Sequence, residues 1–344
     1  MNKSTAIFSC FLCLFLFSLP GCSQKPNFPA FTGSYLGQSS PGMQPELFAP
    51  GVISTGLYER DLAISPDGKE IYYGLILGGQ VTIMTTHLAG ERWTEPKVAP
   101  FAENKDFLFF EPCLSPDGMR LFFLSTLPPQ GEEPKAGWGH QNIWVVSRAK
   151  DGAWGEPQDV GSPVNTDNEE YFPSVTRDGT LYFTRSIPGE RKTRIMRSRC
   201  LNGDYAKPEA LPEQINGKGT PYNAYVAPDE DFLVACVEGR DDSVTEGFAD
   251  YYVFFRKKDD TWSEGFNLGK KINLPKDRAL SPYVSPDRRY FFFASTRKDP
   301  ELFSWEGVTW SRIQHLHASP QNGNSDIYWV DARIIENLRP EGFE

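Results

Sequence analysis

The sequence predicts an all-β protein, a β-propeller of five four-stranded blades, with six blades as the alternative. Three observations support this prediction. A pattern of strand, tight turn and strand occurs five times, with copies fifty to sixty-one residues apart. Aromatic residues make up 14% of the chain, and no long apolar stripe has helical spacing. Several short strands per repeat unit are typical of a propeller or a related repeat array.

The second copy of this pattern is the clearest hairpin. Residues 111–114 are extended, Ser115-Pro116-Asp117-Gly118 form a tight turn, and residues 120–125 form a second strand. Proline presets φ in such a turn, aspartate bonds its own backbone, and glycine tolerates the positive φ that follows. The other copies contain Ser65-Pro66-Asp67-Gly68, Thr176-Arg177-Asp178-Gly179, Ala227-Pro228-Asp229 and Ser285-Pro286-Asp287.

Two further strands follow each hairpin. Third strands are predicted at residues 81–84, 143–146, 194–197, 251–254 and 327–330. Fourth segments open with Trp93, Trp154, Tyr205 or Trp262, and three of them carry a proline, which suits an edge strand. The last repeat lacks a fourth segment, whereas Gln44–Pro50 resembles residues 95–100. We therefore expect the N-terminal strand to complete the last blade, a closure that removes exposed sheet edges.

The N-terminus is a separate unit. An apolar run from Ala6 to Leu19 follows Lys3, which predicts a secretory signal over residues 1–21. The run ends in Leu19-Pro20-Gly21-Cys22, which resembles the lipobox of bacterial lipoproteins and implies a lipid anchor on Cys22. We expect a flexible tether at 22–44, the propeller at 45–335 and a short polar tail at 336–344. The predicted location is the bacterial envelope, with the outer membrane favoured and the domain facing the periplasm or cell surface.

Charge and missing motifs exclude several classes of function. The formal net charge of −10 argues against nucleic acid as a partner. The chain has no Gly-x-Ser-x-Gly elbow, Gly-rich phosphate loop or paired Cys-x-x-Cys. A serine hydrolase, a nucleotide enzyme and a zinc ribbon therefore lose their usual sequence support, and no cofactor is predicted. Beyond Cys22 the cysteines are Cys113, Cys200 and Cys236, an odd number that favours buried free thiols.

The repeat also carries a family resemblance. Its pattern, Pro-x-x-Ser-Pro-Asp-Gly-x-x-Leu-Phe-Phe-x-Ser followed by Asp/Asn-Ile-Tyr/Trp, resembles the TolB-like (WD-like) β-propeller repeat over about residues 45–335. In the fourth and fifth copies Glu230 and Arg288 replace the turn glycine. The resemblance implies the propeller fold. It leaves the function open, because propellers serve as scaffolds, ligand binders and enzymes.

Candidate site residues come from the first strand of each blade, which lines the central channel of a propeller. Carboxylates near arginines could bind a cation, a basic peptide or a sugar there, and two suitably spaced carboxylates could do acid–base chemistry. The competing explanation is that these side chains are simply solvated in a wet channel. The predicted ligand-binding residues are Arg60, Asp61, Glu111, Glu170, Tyr222, Asn223 and Arg278, with Glu59, Glu169 and Ser281 beside them.

A second candidate is the pair His315 and His317, in an insertion at 298–324. On a strand, His-x-His would place both imidazoles on one face, which suits a metal ion. Some polysaccharide lyases built on related propellers are similar in using histidines at a metal site. The alternative is a pair of exposed loop histidines. The repeated turn aspartates could likewise be calcium ligands, but their role in the turn already explains their repetition.

These observations favour a non-enzymatic, envelope-anchored scaffold module that binds an envelope protein or a glycan and contacts the membrane through its N-terminal lipid. The alternative is a carbohydrate-active enzyme, a polysaccharide lyase or glycosidase. It would use the channel carboxylates or the loop of His315 and His317.

Overall fold

The structure, a computed structural model, describes residues 28–304 and 306–343. Five antiparallel sheets, each with four main strands, are arranged as a five-bladed propeller. The predicted fold class and the lower of the two blade numbers are therefore confirmed. The predicted signal at 1–21 and the lipid anchor at Cys22 lie outside the described residues.

The first two blades follow an entry segment that contains a 3-10 helix, Ser34–Gly37, and strand β1 (Glu46–Leu47). The first blade consists of β2 (Tyr58–Ile64), β3 (Glu70–Leu77), β4 (Gln80–Ala89), the short β5 (Arg92–Trp93) and β6 (Lys97–Val98). A 3-10 helix, Pro100–Ala102, leads to β7 (Phe109–Leu114), β8 (Arg120–Ser125), β9 (Asn142–Ser147) and β10 (Gln158–Asp159).

The other three blades repeat this order with short additions. The third contains β11 (Glu170–Val175), β12 (Leu181–Ser186), β13 (Thr193–Ser198), a small hairpin of β14 (Cys200–Leu201) and β15 (Asp204–Tyr205), and β16 (Glu209–Ala210). Helix α1 (Glu213–Asn216) precedes β17 (Thr220–Val226), β18 (Phe232–Glu238), β19 (Asp250–Phe255) and β20 (Phe266–Asn267). The fifth blade has β21 (Leu280–Val284), β22 (Tyr290–Ser295), helix α2 (Trp310–Ala318), β23 (Asp326–Asp331) and then helix α3 (Arg333–Glu336).

The ring closes between the two ends of the chain. Strand β1 pairs antiparallel with β23, with Glu46 opposite Trp329 and Leu47 opposite Tyr328. The N-terminal strand thus completes the blade begun by the C-terminal strands, as predicted. Because β1 covers the outer edge of β23, the third strand of the fifth blade has a hydrogen-bonded neighbour on both sides.

The turn aspartates have the structural role that the sequence indicates. Asp67 Oδ1 accepts hydrogen bonds from Ser65 Oγ at 2.6 Å and from the Lys69 backbone N–H at 3.1 Å. Asp117, Asp178 and Asp287 make the equivalent pair of bonds. The next residue needs a positive φ, which glycine adopts at low cost. Glu230 and Arg288 adopt it too, at 58° and 59°.

The hydrophobic core lies in layers between neighbouring blades. Phe291 and Tyr251, for example, belong to one layer between the fourth and fifth blades, and their rings meet edge to face at 5.8 Å. Each fully buried side chain of this size stabilises the fold by about 1.5–3 kcal/mol. Trp93 and Trp262, which open two of the fourth segments, are buried in such layers and help to join neighbouring blades. Cys236 is buried and carries a free thiol.

The chain ends differ from the sequence expectation. Residues from Phe28 onward pack against the propeller instead of forming a free tether: Leu36 is buried, and Tyr35 meets Tyr290 edge to face at 5.0 Å. At the other end, Leu338 and Phe343 pack against the core, so the tail is not simply polar. The physical reason is the same at both ends, because apolar side chains spaced along these segments cover core that would otherwise be exposed.

Two faces of the disc can be distinguished from the strand order. The turns between first and second strands, at 65–69, 115–119, 176–180, 227–231 and 285–289, share one face with the connections between third and fourth strands; we call it the hairpin face. The opposite loop face carries the connections between second and third strands, including 126–141 and 296–325, and those between blades. No helix within the described residues is long and apolar enough to span a membrane.

Candidate functional site

A bulge interrupts every innermost strand at the same place. In each first strand the pairing register shifts, and one residue adopts a positive φ of 47–59°. Such a conformation costs a non-glycine residue about 1–3 kcal/mol and persists only where the surroundings enforce it. It always falls four positions before the first turn residue. We call these five residues the axial ring: Asp61, Glu111, Phe172, Asn223 and Ser281.

One arginine joins the two acidic members of the axial ring. Arg60 Nε lies 2.9 Å from Asp61 Oδ1, and Arg60 Nη2 lies 3.3 Å from Glu111 Oε1. The guanidinium also stacks over the Phe110 ring, 4.6 Å from its centroid. Ser281 Oγ donates a further hydrogen bond to Asp61 Oδ1. Residues of the first, second and fifth blades are therefore tied together at the axis.

Burial controls the protonation of this cluster. It raises the pKa of Glu111 to about 8, with the charge of Asp61 adding to the shift and that of Arg60 opposing it. Burial likewise raises the pKa of Asp61, against the opposing effect of Arg60. Burial disfavours the charge on Arg60, but Asp61 and Glu111 together hold its pKa above the ordinary value. The cluster therefore contains the positively charged guanidinium of Arg60 and the carboxyl group of Glu111, whose pKa is about 8.

The axis of the propeller is closed on the hairpin-face side of this cluster. The cavity next to Asp61, Glu111, Phe172 and Ser281 has a volume of about 20 Å³, room for roughly one water molecule. Towards the hairpin face, the rings of Tyr225 and Tyr283 meet edge to face at 5.6 Å. On this side of the axial ring the channel predicted from the sequence is packed, and the cavity beside the two carboxyl groups has space for about one water molecule.

Glu170 was predicted as a channel residue, but its contacts are those of a loop cap. Its carboxylate accepts hydrogen bonds from the Thr166 backbone N–H at 2.9 Å, from Thr166 Oγ1 at 2.7 Å and from Arg185 Nε at 2.6 Å. Glu59 caps Thr55 in the same way in the first blade. Both glutamates use their oxygens to hold the connection that enters the innermost strand.

The remaining predicted channel residues lie around the axis without forming one cluster. Asn223 belongs to the axial ring, where its backbone N–H donates to Thr184 Oγ1 at 3.0 Å and its side-chain oxygen is buried without a partner. Tyr222 Oη donates to the carbonyl of Ala279 at 3.3 Å. Arg278 is exposed. The structure therefore unites Arg60, Asp61 and Glu111 and leaves Arg278 at the rim.

His315 and His317 lie in helix α2, so the expectation that they share one face of a strand is wrong. Residues two apart on a helix point about 200° apart around its axis. Thr309 caps this helix, its hydroxyl accepting from the Arg312 backbone N–H at 3.3 Å. Both histidines are exposed. Among the residues that the structure describes, no group of three or more His, Cys, Asp or Glu side chains is placed to hold a metal ion.

An open groove on the loop face was not predicted from the sequence. It has a volume of about 610 Å³ and lies between the second and third blades. The long connection 126–141 forms one wall and the connection 161–169 the other. Trp138 lines it with 47% of its side chain exposed. We call it the Trp138 groove.

Two features of the sequence could have led to these sites. Counting four residues back from each turn locates the whole axial ring, including Phe172, which a search for charged residues passes over. The connection 126–141 is longer than its counterpart in the first blade, Gly78-Gly79, and carries a tryptophan. Long loops on a rigid scaffold are common positions for binding residues.

Comparison with known proteins found only distant similarity to solved structures. No model of a known protein family matches the chain, and no curated protein matches it either. Among solved structures, TolB from Acinetobacter baumannii is 14% identical over 80% of this chain with a TM-score of 0.46, and the chain spans 57% of that protein. An α-L-arabinofuranosidase from Lactobacillus brevis is 12% identical, with coverage of 82% and 92% and a TM-score of 0.47. An oligogalacturonate lyase in complex with manganese is 16% identical, with coverage of 78% and 66% and a TM-score of 0.39.

Proposed function

We propose that the protein is a non-enzymatic binding module that holds a partner at its loop face. The observation that carries this proposal is the enclosure of the axial carboxylates. Asp61 and Glu111 are 4% and 6% exposed, beside a cavity of about 20 Å³. A glycosidase must bring its two carboxyl groups to either side of a sugar ring, and this space admits about one water molecule.

The distribution of exposed apolar side chains supports the loop face as the binding surface. Eight large hydrophobic residues are exposed in the described part of the chain, and two of these, Met119 and Leu201, lie on the hairpin face. The other six lie on the loop face: Leu57, Leu77, Trp138, Phe248, Trp310 and Ile313. Exposed apolar groups that share one face are typical of interaction surfaces.

The test compares matched changes on the two faces. A Leu77→Ser/Phe248→Ser variant and a Met119→Ser/Leu201→Ser variant would each be cross-linked in envelope extracts beside the unmodified protein. We expect the first variant to lose a cross-linked partner that the second retains. Equal loss in both variants, or no partner for the unmodified protein, would contradict the proposal.

A carbohydrate-active enzyme is the second candidate, and one observation favours it. The pKa of Glu111, raised to about 8 by burial and by Asp61, is that of a carboxyl that could donate a proton at neutral pH. The purified protein should be incubated with neutral and acidic oligosaccharides and the products analysed. We expect no turnover. Cleavage that is abolished by Glu111→Gln would mean that the protein is a carbohydrate-active enzyme and not a binding module.

Attachment to the envelope through a lipid on Cys22 is part of this proposal. Its support is the sequence Leu19-Pro20-Gly21-Cys22 after the apolar run. A Cys22→Ala variant should move from the membrane fraction to the soluble fraction, because several acyl chains form a stable anchor. Unchanged membrane association would exclude this form of attachment.

A further inference from the structure

The Trp138 groove combines three properties that identify the chemistry of its occupant. Its volume of about 610 Å³ lies within the range of ordinary ligand sites. An aromatic side chain lines one wall, and carboxylates lie on both walls. The identity of this occupant rests on the proposed use of the loop face for binding.

The aromatic wall is held in place from behind. The Trp138 ring packs against Phe110, with ring centroids 6.3 Å apart, and Phe110 in turn carries the guanidinium of Arg60. The connection itself is anchored by His140, which is 4% exposed and has its Nε2 3.0 Å from the Glu133 carbonyl. Trp138 therefore presents an exposed aromatic surface on a fixed backing, which limits the entropy lost when a ligand binds.

The charges lining the groove are mostly negative. A single lysine, Lys135, lines it, and its Nζ lies 3.9 Å from Glu132. Four carboxylates also line the groove: Glu132, Asp159, Asp167 and Glu169. Asp167 and Glu169 are exposed. Such a surface repels anions such as uronate polysaccharides and attracts cations, an effect that the chain's net charge of −10 reinforces.

We infer that the Trp138 groove binds an extended lysine- or arginine-rich segment of a partner protein. A cationic side chain would lie over the Trp138 ring as a cation–π pair, with neighbouring basic groups beside Asp167 and Glu169. The exposed apolar residues elsewhere on the loop face, such as Leu77 and Phe248, favour a protein over a free sugar, because they offer contacts to the body of the partner.

The experiment measures binding of an oligolysine peptide by calorimetry at low and high salt. Trp138→Ala should weaken binding about fivefold to thirtyfold, equivalent to about 1–2 kcal/mol at 1.4 kcal/mol per tenfold change. Asp167→Asn/Glu169→Gln should weaken it too and reduce its salt dependence. The matched control is Leu201→Ala, which removes a 59% exposed side chain on the hairpin face, outside the groove, and should bind like the unmodified protein. Unchanged thermal unfolding confirms that each variant is folded.

Several outcomes would overturn the inference. Equal binding by the Trp138→Ala and Leu201→Ala variants would mean that the peptide binds through overall charge alone. Binding of an oligoglutamate peptide or of a neutral oligosaccharide in the groove, in place of oligolysine, would assign a different occupant. The proposed function would survive either result as long as the loop-face cross-link persists, so the two failures are distinguishable.

Discussion

Glu111 Oε2 accepts a 2.7 Å hydrogen bond from the backbone N–H of Phe172, so a carboxyl group of the second blade holds the bulge of the third. Its other oxygen receives Arg60 of the first blade at 3.3 Å. Glu111 therefore links three blades at the axis. We interpret the axial ring as a device that fixes the relative positions of the blades from the centre, while the interblade layers fix them from the periphery.

The pH dependence of stability tests this interpretation. Between the ordinary glutamate pKa near 4.5 and the raised value of about 8, folded Glu111 retains a proton that the unfolded chain releases. The free energy of unfolding should therefore fall as pH rises through this window. Glu59 and Asp326, whose pKa values burial raises to about 7, act in the same direction. Denaturant titrations at a series of pH values measure the slope.

A Glu111→Gln variant isolates the contribution of this residue, because glutamine resembles the protonated carboxyl. The decline in stability between pH 5 and 8 should become shallower without disappearing, since Glu59 and Asp326 still titrate. A slope identical to that of the unmodified protein would show that Glu111 does not titrate in this window.

Gly74 should be intolerant of any side chain. A Cβ atom at this position would lie 2.9 Å from Asp61 Oδ2 and 3.1 Å from Phe110 Cε2, so both must move. We expect Gly74→Ala to destabilise the protein by about 1–3 kcal/mol, measured by chemical denaturation. Gly79→Ala is the control, because nothing lies within 4 Å of its Cβ. Equal stability of the two variants would contradict the packing described for Asp61.

Removal of the Glu170 cap should cost more than removal of the neighbouring carboxylate. Glu170→Ala leaves Thr166 without its acceptor and the partly buried Arg185 with the Val164 carbonyl alone, and we expect a loss of about 2–4 kcal/mol. Glu169→Ala removes an exposed carboxylate with one bond to Ser186 and should cost less than about 1 kcal/mol. Thermal unfolding of both variants provides the comparison. A larger loss for Glu169→Ala would reverse the assignment of Glu170 as the cap.

The entry segment should contribute to stability. A chain that begins at Pro45 lacks buried Leu36, the Tyr35 contact with Tyr290 and the Gly33 carbonyl that accepts from Trp93 Nε1 at 2.8 Å. We expect it to be about 2–5 kcal/mol less stable than a chain that begins at Phe28. If both unfold at the same denaturant concentration, the segment is the free tether that the sequence indicated.

The sequence could predict the blades because each turn residue acts locally. Ser115, Pro116 and Asp117 form their turn through bonds within a few residues, and repetition multiplies that signal. The bulges are harder to predict, since a positive φ at Phe172 is enforced by Glu111 from another blade. Helix α2 was missed, although Thr309 marks its start, because a His-x-His pattern fits a strand as well. The Trp138 groove depends on the connection 126–141, whose sequence is not repeated in any other blade, so the repeat pattern does not predict it.

The course of the entry segment determines how the molecule can be presented to its surroundings. Tyr35 Oη donates to Asp287 in a turn of the hairpin face at 3.0 Å, so Tyr35 lies on that side of the disc. A chain shortened to begin at Phe28 and coupled through its first residue should therefore be held from the hairpin face. We expect such coupling to leave the loop face turned towards the solution, whereas coupling through surface lysines would orient the molecules at random.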